Sequence, residues 1–360
     1  MLPQALALAE QLGHEEVVLL RDPASGLRAV IAIHDTSLGA AVGGTRMRLY
    51  PDLESATVDA LRLARAMTYK AALAGIERGG GKAVILGDPA RDKTRALLQA
   101  YARALDRLGG RFHTGCDMGI DGRDVAVLSR LTKHVSHTGP GRRYETAELA
   151  ALGVFASIEA AAQTLGVPLR GLRVAVQGLG ALGYRLCRLL ADEGAVLTVA
   201  DVDAGRAERA VRELRATAVE AAAIYDLECD VFSPNAAGGI LDDASLPRLR
   251  CRAVVGGANE QLLEPRHDDA LAARGVLYAP DYVANAGGLL SLLYETGDLD
   301  DEGIVARVRG IGGRLRELWA RARSLGLPPG RTADRMAEER LAEARAKREQ
   351  RRAGRGGGVE

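Results

Sequence analysis

The chain has 360 residues, 47% of them apolar and 26% charged, with a net charge of +1. That length suffices for two domains with separate cores, and the balanced charge argues against a general nucleic-acid or membrane-surface role. No apolar run approaches the roughly 20 residues that cross a bilayer. The N-terminus shows no signal-peptide pattern, and four cysteines without a Cys-x-x-Cys pair suit reduced thiols, so a cytoplasmic protein is expected.

An Ala/Leu-rich helix is predicted over 1–11, then β runs over 17–20 and 27–33 joined by the turn-rich segment 22–26. Residues 54–74 have helical periodicity, which places Lys70 late in that helix. The glycines Gly75, Gly79, Gly80 and Gly81 are read as ending it, so that Lys82 leads from a glycine turn into an apolar strand over 83–86. A helix over 93–108 and a short strand near 111–113 follow. From about 147 the pattern becomes regular, with strands at 173–177, 196–200, near 231–232, 253–255 and 276–278. Helices at 180–191, 204–216 and 265–273 alternate with them. This alternation predicts a parallel sheet covered by helices on both faces. Helices over 286–295, 303–325 and 332–348 close the chain. The last carries mixed charges such as Glu343 and Lys347 at helical spacing, a solvated face.

The basic residues are biased. Only Lys70, Lys82, Lys93, Lys133 and Lys347 are lysines, and the other 43 of 48 are arginine. Arginine keeps its proton at workable pH, whereas a shielded lysine can release one. Lys70 and Lys82 flank the glycine run, which makes amine chemistry a fair suspicion; the alternative is a helix-surface charge and a solvated turn residue. The run is not a phosphate loop. Ile76 stands at the first glycine position of that motif, Ala83 follows Lys82, and the lysine precedes a strand rather than a helix. His134 and His137 form a His-x-x-His pair with no nearby acidic or Cys ligand, so no metal is expected.

Gly178-Leu179-Gly180-Ala181-Leu182-Gly183 matches G-x-G-x-x-G, follows a predicted strand and opens a helix. Asp201 stands at the end of the next strand. The glycines let a pyrophosphate approach the helix N-terminus, and Asp201 is placed to accept hydrogen bonds from a ribose. A carboxylate there would repel a 2′-phosphate, which favours NAD over NADP; Arg206 nearby argues the other way.

These features, with Gly43-Gly44-Thr45-Arg46-Met47, Met67-Thr68-Tyr69-Lys70, Thr114-Gly115-Cys116-Asp117-Met118-Gly119, Ala258-Asn259 and the segment from Ala279 to Gly288, resemble the glutamate/leucine/phenylalanine/valine dehydrogenases. The resemblance runs from about 27 to 339 and is nearest to the branch acting on apolar amino acids. It implies a two-domain α/β fold, with an N-terminal α/β substrate domain and a Rossmann-type doubly wound cofactor domain separated by a cleft. Residues 1–146 would serve substrate binding and oligomerisation, 147–325 would bind NAD, and a helix over 326–350 would return to the first domain. A tail over 351–360 is expected to be disordered.

The implied activity is reversible oxidative deamination of an L-amino acid to a 2-oxo acid and ammonia, by a homo-oligomer. Lys70 would pair with the substrate carboxylate. Lys82 would activate water, its pKa lowered by burial and by Lys70. Asp117 would shuttle protons to the amine. Gly43, Gly44 and Met67 would lie against the substrate, Asn285 would help hold its carboxylate, and Asn259 would lie near the nicotinamide. Asp117 as a turn aspartate and Asn285 as a helix cap are the rival readings.

Leu38, Gly115, Leu289 and Leu292 would line the side-chain pocket. Leucine-preferring relatives tend to have Ala and Val where this chain has Gly115 and Leu289, and phenylalanine-preferring ones Gly and Leu, so phenylalanine is favoured over leucine or valine. The chain departs from the family at Ala150, where a threonine is expected near the nicotinamide, and at Asn235, where relatives often have Cys. From another class, a non-catalytic sensor of NAD or an amino acid is the alternative.

Overall fold

The computed structural model describes residues 3–136 and 143–356, except for the side chains of Glu295 and of residues 352–356. The chain divides into two compact units, one of Met1–Gly139 with Ala337–Glu360 and one of Pro140–Met336. Among the described residues no helix is long and apolar enough to cross a membrane.

The first unit comprises α1 (Pro3–Leu12), β1 (Glu16–Asp22), β2 (Leu27–Asp35), β3 (Ala41–Arg48), α2 (Leu53–Ala74), β4 (Gly79–Leu86), α3 (Arg95–Arg107), β5 (Phe112–Gly115) and α4 (Gly122–Leu128). Its sheet runs β1-β2-β4-β3-β5. The β1–β2 and β2–β4 pairs are antiparallel, and β3 is parallel to both β4 and β5. Strand alternation splits the apolar side chains between two cores. Val30, Ala32 and Val84 pack with Ala56, Ala60 and Ala64 of α2. Ile31, Ile33 and Ile85 pack with Leu98, Tyr101 and Leu105 of α3. Thr45 ties β3 to its neighbours, its hydroxyl 2.6 Å from the Tyr101 hydroxyl and 2.5 Å from that of Thr114.

The glycine run is not a turn. Gly75 alone ends α2, with a left-handed φ of 75° and its N–H directed at the carbonyls of Ala71 and Ala72. Gly79, Gly80 and Gly81 are the buried first residues of β4. A Cβ on Gly80 would lie 2.0 Å from the Thr68 backbone nitrogen, and one on Gly81 2.7 Å from the Phe112 ring. Glycine here permits close packing, which outweighs its poor strand propensity. The same cause hides β3, whose Gly43 and Gly44 interrupt the apolar signal.

The second unit comprises α5 (Thr146–Leu165), β6 (Arg173–Gln177), α6 (Ala181–Asp192), β7 (Val196–Ala200), α7 (Ala204–Leu214), β8 (Thr217–Ala218), β9 (Glu228–Pro234), β10 (Arg250–Val254), α8 (Arg266–Ala273), β11 (Leu277–Tyr278), α9 (Asp281–Ala284), α10 (Gly287–Glu295) and α11 (Asp301–Leu325). All pairings in its six-stranded sheet, ordered β11-β10-β9-β6-β7-β8, are parallel. Read from β6 outward, this is the doubly wound order 3-2-1-4-5-6, with its switch point between β6 and β9. The Trp319 indole N–H donates to the Tyr278 carbonyl at 2.8 Å and fixes α11 against β11.

The last helix, α12 (Pro329–Gly356), begins in the second unit and belongs to the first from Ala337 onward. Its start is held by Asp268, which accepts the Arg331 N–H, and by Asp334, which accepts the Tyr282 hydroxyl at 2.6 Å. Further on, the Arg345 guanidinium meets the buried Asp35 carboxylate at 2.6 Å, and Glu338 accepts the Tyr69 hydroxyl. The helix continues past 351, where disorder was expected. It runs to Gly356. Residues 357–360 lie outside the described residues.

Gly80→Ala should lower the free energy of unfolding by about 3 kcal/mol, read in a urea titration. Gly122→Ala, whose added Cβ meets nothing within 4 Å, should leave it nearly unchanged.

Candidate active site

Lys82 sits on β4 with only 7% of its surface exposed. A buried ammonium needs an anion, and Asp117 supplies it through a direct ion pair of Lys82 Nζ with Asp117 Oδ2. Asp117 lies just after β5 in a tight loop closed by two backbone bonds, Asp117 N–H to the Ile120 carbonyl and Ile120 N–H to the Asp117 carbonyl. Its other oxygen, Oδ1, accepts the Met118 N–H at 2.7 Å. The turn aspartate and the ion-pair partner are thus one residue.

A third group, Arg46 on β3, completes the cluster. Its Nε lies 3.3 Å from Asp117 Oδ2, and its Nη1 lies 3.1 Å from Asp59 Oδ2 on α2. Burial pushes the Lys82 ammonium below its ordinary pKa; Asp117 opposes this, and Arg46 adds to it. Arg46 is therefore a cation that helps lower Lys82, one that the sequence had not singled out. Burial alone would raise the Asp117 carboxyl, but Lys82 and Arg46 overcome it and hold Asp117 below its usual range. Arg46 was missed in the sequence because nothing marked β3 as a strand. With β3 recognised, alternation puts Arg46 on the same face as Gly44.

Gly44 has a steric reason of its own. A Cβ there would lie 2.4 Å from the Cys116 carbonyl oxygen and 2.9 Å from Asp117 Cβ, so its absence lets the Asp117 loop reach the sheet. A Cβ on Gly43 would collide with the Gly81 carbonyl oxygen and come within 3.5 Å of Met67. Met67 and Lys70 are half-buried neighbours on α2, Leu38 is half-buried between β2 and β3, and Gly115 ends β5. Among the described residues, a Cβ on Gly115 would find only the Ser136 carbonyl, at 3.8 Å. His134 packs edge-to-face on His113 at 5.2 Å; His137 lies outside the described residues.

In the second unit the three fingerprint glycines have three different surroundings. Gly178 has a φ of 91°, and its Cβ would strike Ala236. A Cβ on Gly183 would lie 2.0 Å from the Gly178 carbonyl oxygen, so it permits close helix–strand packing. Among the described residues, a Cβ on Gly180 would meet nothing within 4 Å. Gly180 is the N-cap of α6 and offers no side-chain cap, which leaves the first N–H groups, at Ala181 and Leu182, available to an anion. These are the surroundings that a pyrophosphate cradle needs. Asp201 Oδ2 accepts the Leu179 N–H at 2.6 Å and Oδ1 the Asp203 N–H at 2.9 Å. Each carboxylate oxygen retains a lone pair for a ribose hydroxyl. Arg206 stands 3.9 Å from Asp201.

At the switch point, Asn235 joins β9 to the loop after β10. Its Oδ1 accepts the Gly257 N–H, and its Nδ2 donates to the Ser233 carbonyl. Asn285 Nδ2 donates to Asn259 Oδ1 at 2.8 Å and to the Gly257 carbonyl at 3.2 Å. The buried Asn285 Oδ1 has no hydrogen-bond partner. It is an acceptor, which suits an N–H donor; gripping a carboxylate requires the amide to release one of its present bonds. Asn285 is not the cap of α10, whose N-cap is Ala286. Leu289 is buried and Leu292 half-buried on α10. Gly288, also on α10, lies against Ala150, whose Cβ would be 3.6 Å from a Cβ added there.

Comparison with known proteins gives the geometry its context. Residues 14–134 match the family model of the Glu/Leu/Phe/Val dehydrogenase dimerisation domain, and residues 204–298 match that of glutamate/leucine/phenylalanine/valine dehydrogenase. The chain is 43% identical over 336 residues to the leucine dehydrogenase of Geobacillus stearothermophilus, covering 92% of each. It is 43% identical over 351 residues to the valine dehydrogenase of Streptomyces albus, covering 94% of this chain and 95% of the relative. The crystal structure of L-tryptophan dehydrogenase from Nostoc punctiforme superposes with a TM-score of 0.82 at 41% identity, covering 94% of this chain and 99% of that one.

Asp117→Asn removes the anion that favours the Lys82 ammonium. The pH midpoint for pulse acetylation of Lys82, followed by mass spectrometry across a pH series, should fall by about one pH unit or more.

Proposed function

The chain belongs to the glutamate/leucine/phenylalanine/valine dehydrogenase family of amino-acid dehydrogenases, and we propose that it catalyses NAD-dependent, reversible oxidative deamination of an apolar L-amino acid. The products are the 2-oxo acid, an ammonium ion, NADH and a proton; one water is consumed. The observation that carries this reading is the buried Lys82–Asp117 ion pair.

NAD+, when bound, accepts the hydride from the substrate α-carbon. Its pyrophosphate would rest on the N–H groups at Gly180, Ala181 and Leu182, between Gly178 and Gly183, and its ribose on Asp201; Asn259 would serve the nicotinamide end. Asp201 is 5% exposed at its side chain and tied to the fingerprint loop, which favours NAD over NADP.

The substrate carboxylate pairs with Lys70, and the substrate lies against Gly43, Gly44 and Met67. Asp117 takes a proton from the substrate ammonium, so that the amine can form an imine as the hydride leaves. Lys82, in its neutral form, takes a proton from the water that attacks the imine carbon, and returns it as ammonia departs. Burial makes that neutral form accessible, and Asp117 holds the protonated form between steps. Water activation therefore needs Lys82 deprotonated, and the rate of deamination rises with pH through its titration.

For the substrate side chain, leucine and valine come first, since leucine and valine dehydrogenases stand among the relatives at 43% identity, beside one L-tryptophan dehydrogenase. Phenylalanine, favoured on Gly115 and Leu289, stands second, supported by the space that the described residues leave at Gly115. Pockets of this kind discriminate one methylene by only about 1–3 kcal/mol, so activities overlap. The match of residues 14–134 to a dimerisation domain supports a homo-oligomer.

Purified protein with NAD+ and a panel of L-amino acids should produce NADH with leucine or valine at alkaline pH. No turnover with leucine, valine, isoleucine, phenylalanine, tryptophan or tyrosine overturns the reading and leaves a non-catalytic sensor. Lys82→Ala should keep NAD binding, read by fluorescence titration, and lose about 10²–10⁴-fold in turnover. Gly115→Ala should cut kcat/KM for phenylalanine about tenfold more than for valine.

A further inference from the structure

Arg46 has a second carboxylate holding its far edge. Its Nη1 donates to both Asp59 oxygens, at 3.1 and 3.4 Å. Asp59 Oδ2 also accepts the Tyr50 hydroxyl at 2.5 Å, and the Arg48 guanidinium lies 4.6 Å over the Tyr50 ring. The near edge, Nε, lies 3.3 Å from Asp117 Oδ2, the same oxygen that meets Lys82, as a charge pair outside hydrogen-bond geometry. Arg46 is 13% exposed at its side chain, and Asp59 and Asp117 are each 21% exposed. The groups join into one line, Tyr50, Asp59, Arg46, Asp117 and Lys82, drawn from β3, the segment after it, α2, the loop after β5, and β4. Arginine identity means little in a chain with 43 of them; the two-sided clamp means more.

We propose that Arg46 is a positioning residue of this site: clamped by Asp59, it holds the Asp117 carboxylate in place and charged while Lys82 is in its neutral form. The inference rests on the deamination reading for its meaning in turnover, but not for its electrostatics. An ion pair that cycles has a weak point. When Lys82 gives up its proton, a largely buried carboxylate is left without its cation. Asp117 would then draw a proton to itself or back to Lys82, and the base would be lost. Arg46 does not titrate in the working range, so its charge stays when that of Lys82 goes. It also shares Oδ2 with Lys82, which weakens the hold of Asp117 on the ammonium. Among the described residues, the charged groups that act most on Lys82 include Asp117, Arg46 and Asp59. A lysine at 46 would keep the charge, but one ammonium cannot reproduce the planar fork that meets Asp117 on one edge and Asp59 on the other.

The test compares wild type, Arg46→Met, Arg46→Gln, Arg46→Lys and Asp59→Asn in the full-length protein. The first readout is the pH midpoint for acetylation of Lys82 by pulsed acetic anhydride, which needs no turnover. Arg46→Met and Arg46→Gln should move it up by about one to two pH units, and Arg46→Lys by less. Asp59→Asn takes away an anion that favours the ammonium and should move it slightly down. The second readout is kcat/KM for leucine against pH. Its rising limb should move with the midpoint, in the same direction and order. At a fixed pH on that limb, Arg46→Met then loses about tenfold for each pH unit that the limb moves up. NAD binding should not change in any variant. If Arg46→Met does not fold, Arg46→Gln, which keeps a polar side chain, carries the test. A Lys82 midpoint that stays at the wild-type value in the folded neutral variants overturns the proposal, whatever their activity. A raised midpoint in a protein that turns over no amino acid upholds the electrostatic role of Arg46 and overturns the deamination reading instead.

Discussion

An ammonium with 7% of its surface exposed has to meet an anion, and much of the first unit answers to that requirement at Lys82. Asp117 reaches the amine only because its loop presses onto β3, and the loop presses that closely only because Gly44 has no Cβ. The burial itself comes from α2, which rides so low on β4 that a methyl group on Gly80 would overlap the backbone at Thr68. Glycines that look like slack in the sequence are points of closest contact in the fold. Chemistry and packing share these residues, so their effects on activity and on stability will travel together.

The second unit separates the two demands more cleanly. Gly178 and Gly183 are required by the protein's own backbone, one through its φ of 91° and the other through its contact with Gly178. Gly180 is not; among the described residues nothing lies within 4 Å of where its Cβ would be. A residue without a steric reason, at an uncapped helix N-terminus on the switch point of a doubly wound sheet, points outward to a ligand. Asn285 makes a related point. Its donors are engaged by Gly257 and Asn259, and the acceptor that remains is what a ligand would meet.

How much of this was legible follows from where the signal lies. The parallel sheet was readable because its strands are short apolar runs between amphipathic helices, as at Val174 to Val176 followed by α6. α2 was readable from its period. β3 and the start of β4 were not, because glycine carries no strand propensity and close packing is a property of the partner, not of the residue. Lys82, Asp117 and the fingerprint came from motif context. Arg46 was quoted within its motif without a role, since one arginine among 43 carries no signal until β3 is known to face α2. Substrate preference was the least legible, because Gly115 speaks for space beside one atom and the named relatives are leucine, valine and tryptophan dehydrogenases.

The lysine bias can be reconsidered in that light. Asp117 Oδ2 is contacted by two cations, one lysine and one arginine. If both were arginine, neither would release a proton and the site would be a fixed ion cluster. If both were lysine, burial and mutual repulsion would lower both amines, and the carboxylate would lose its cations over the same pH range. One of each gives a group that titrates and a group that does not, arranged on a single oxygen. At this oxygen the lysine is the group whose proton can be removed, and the neighbouring arginine is the one whose charge stays.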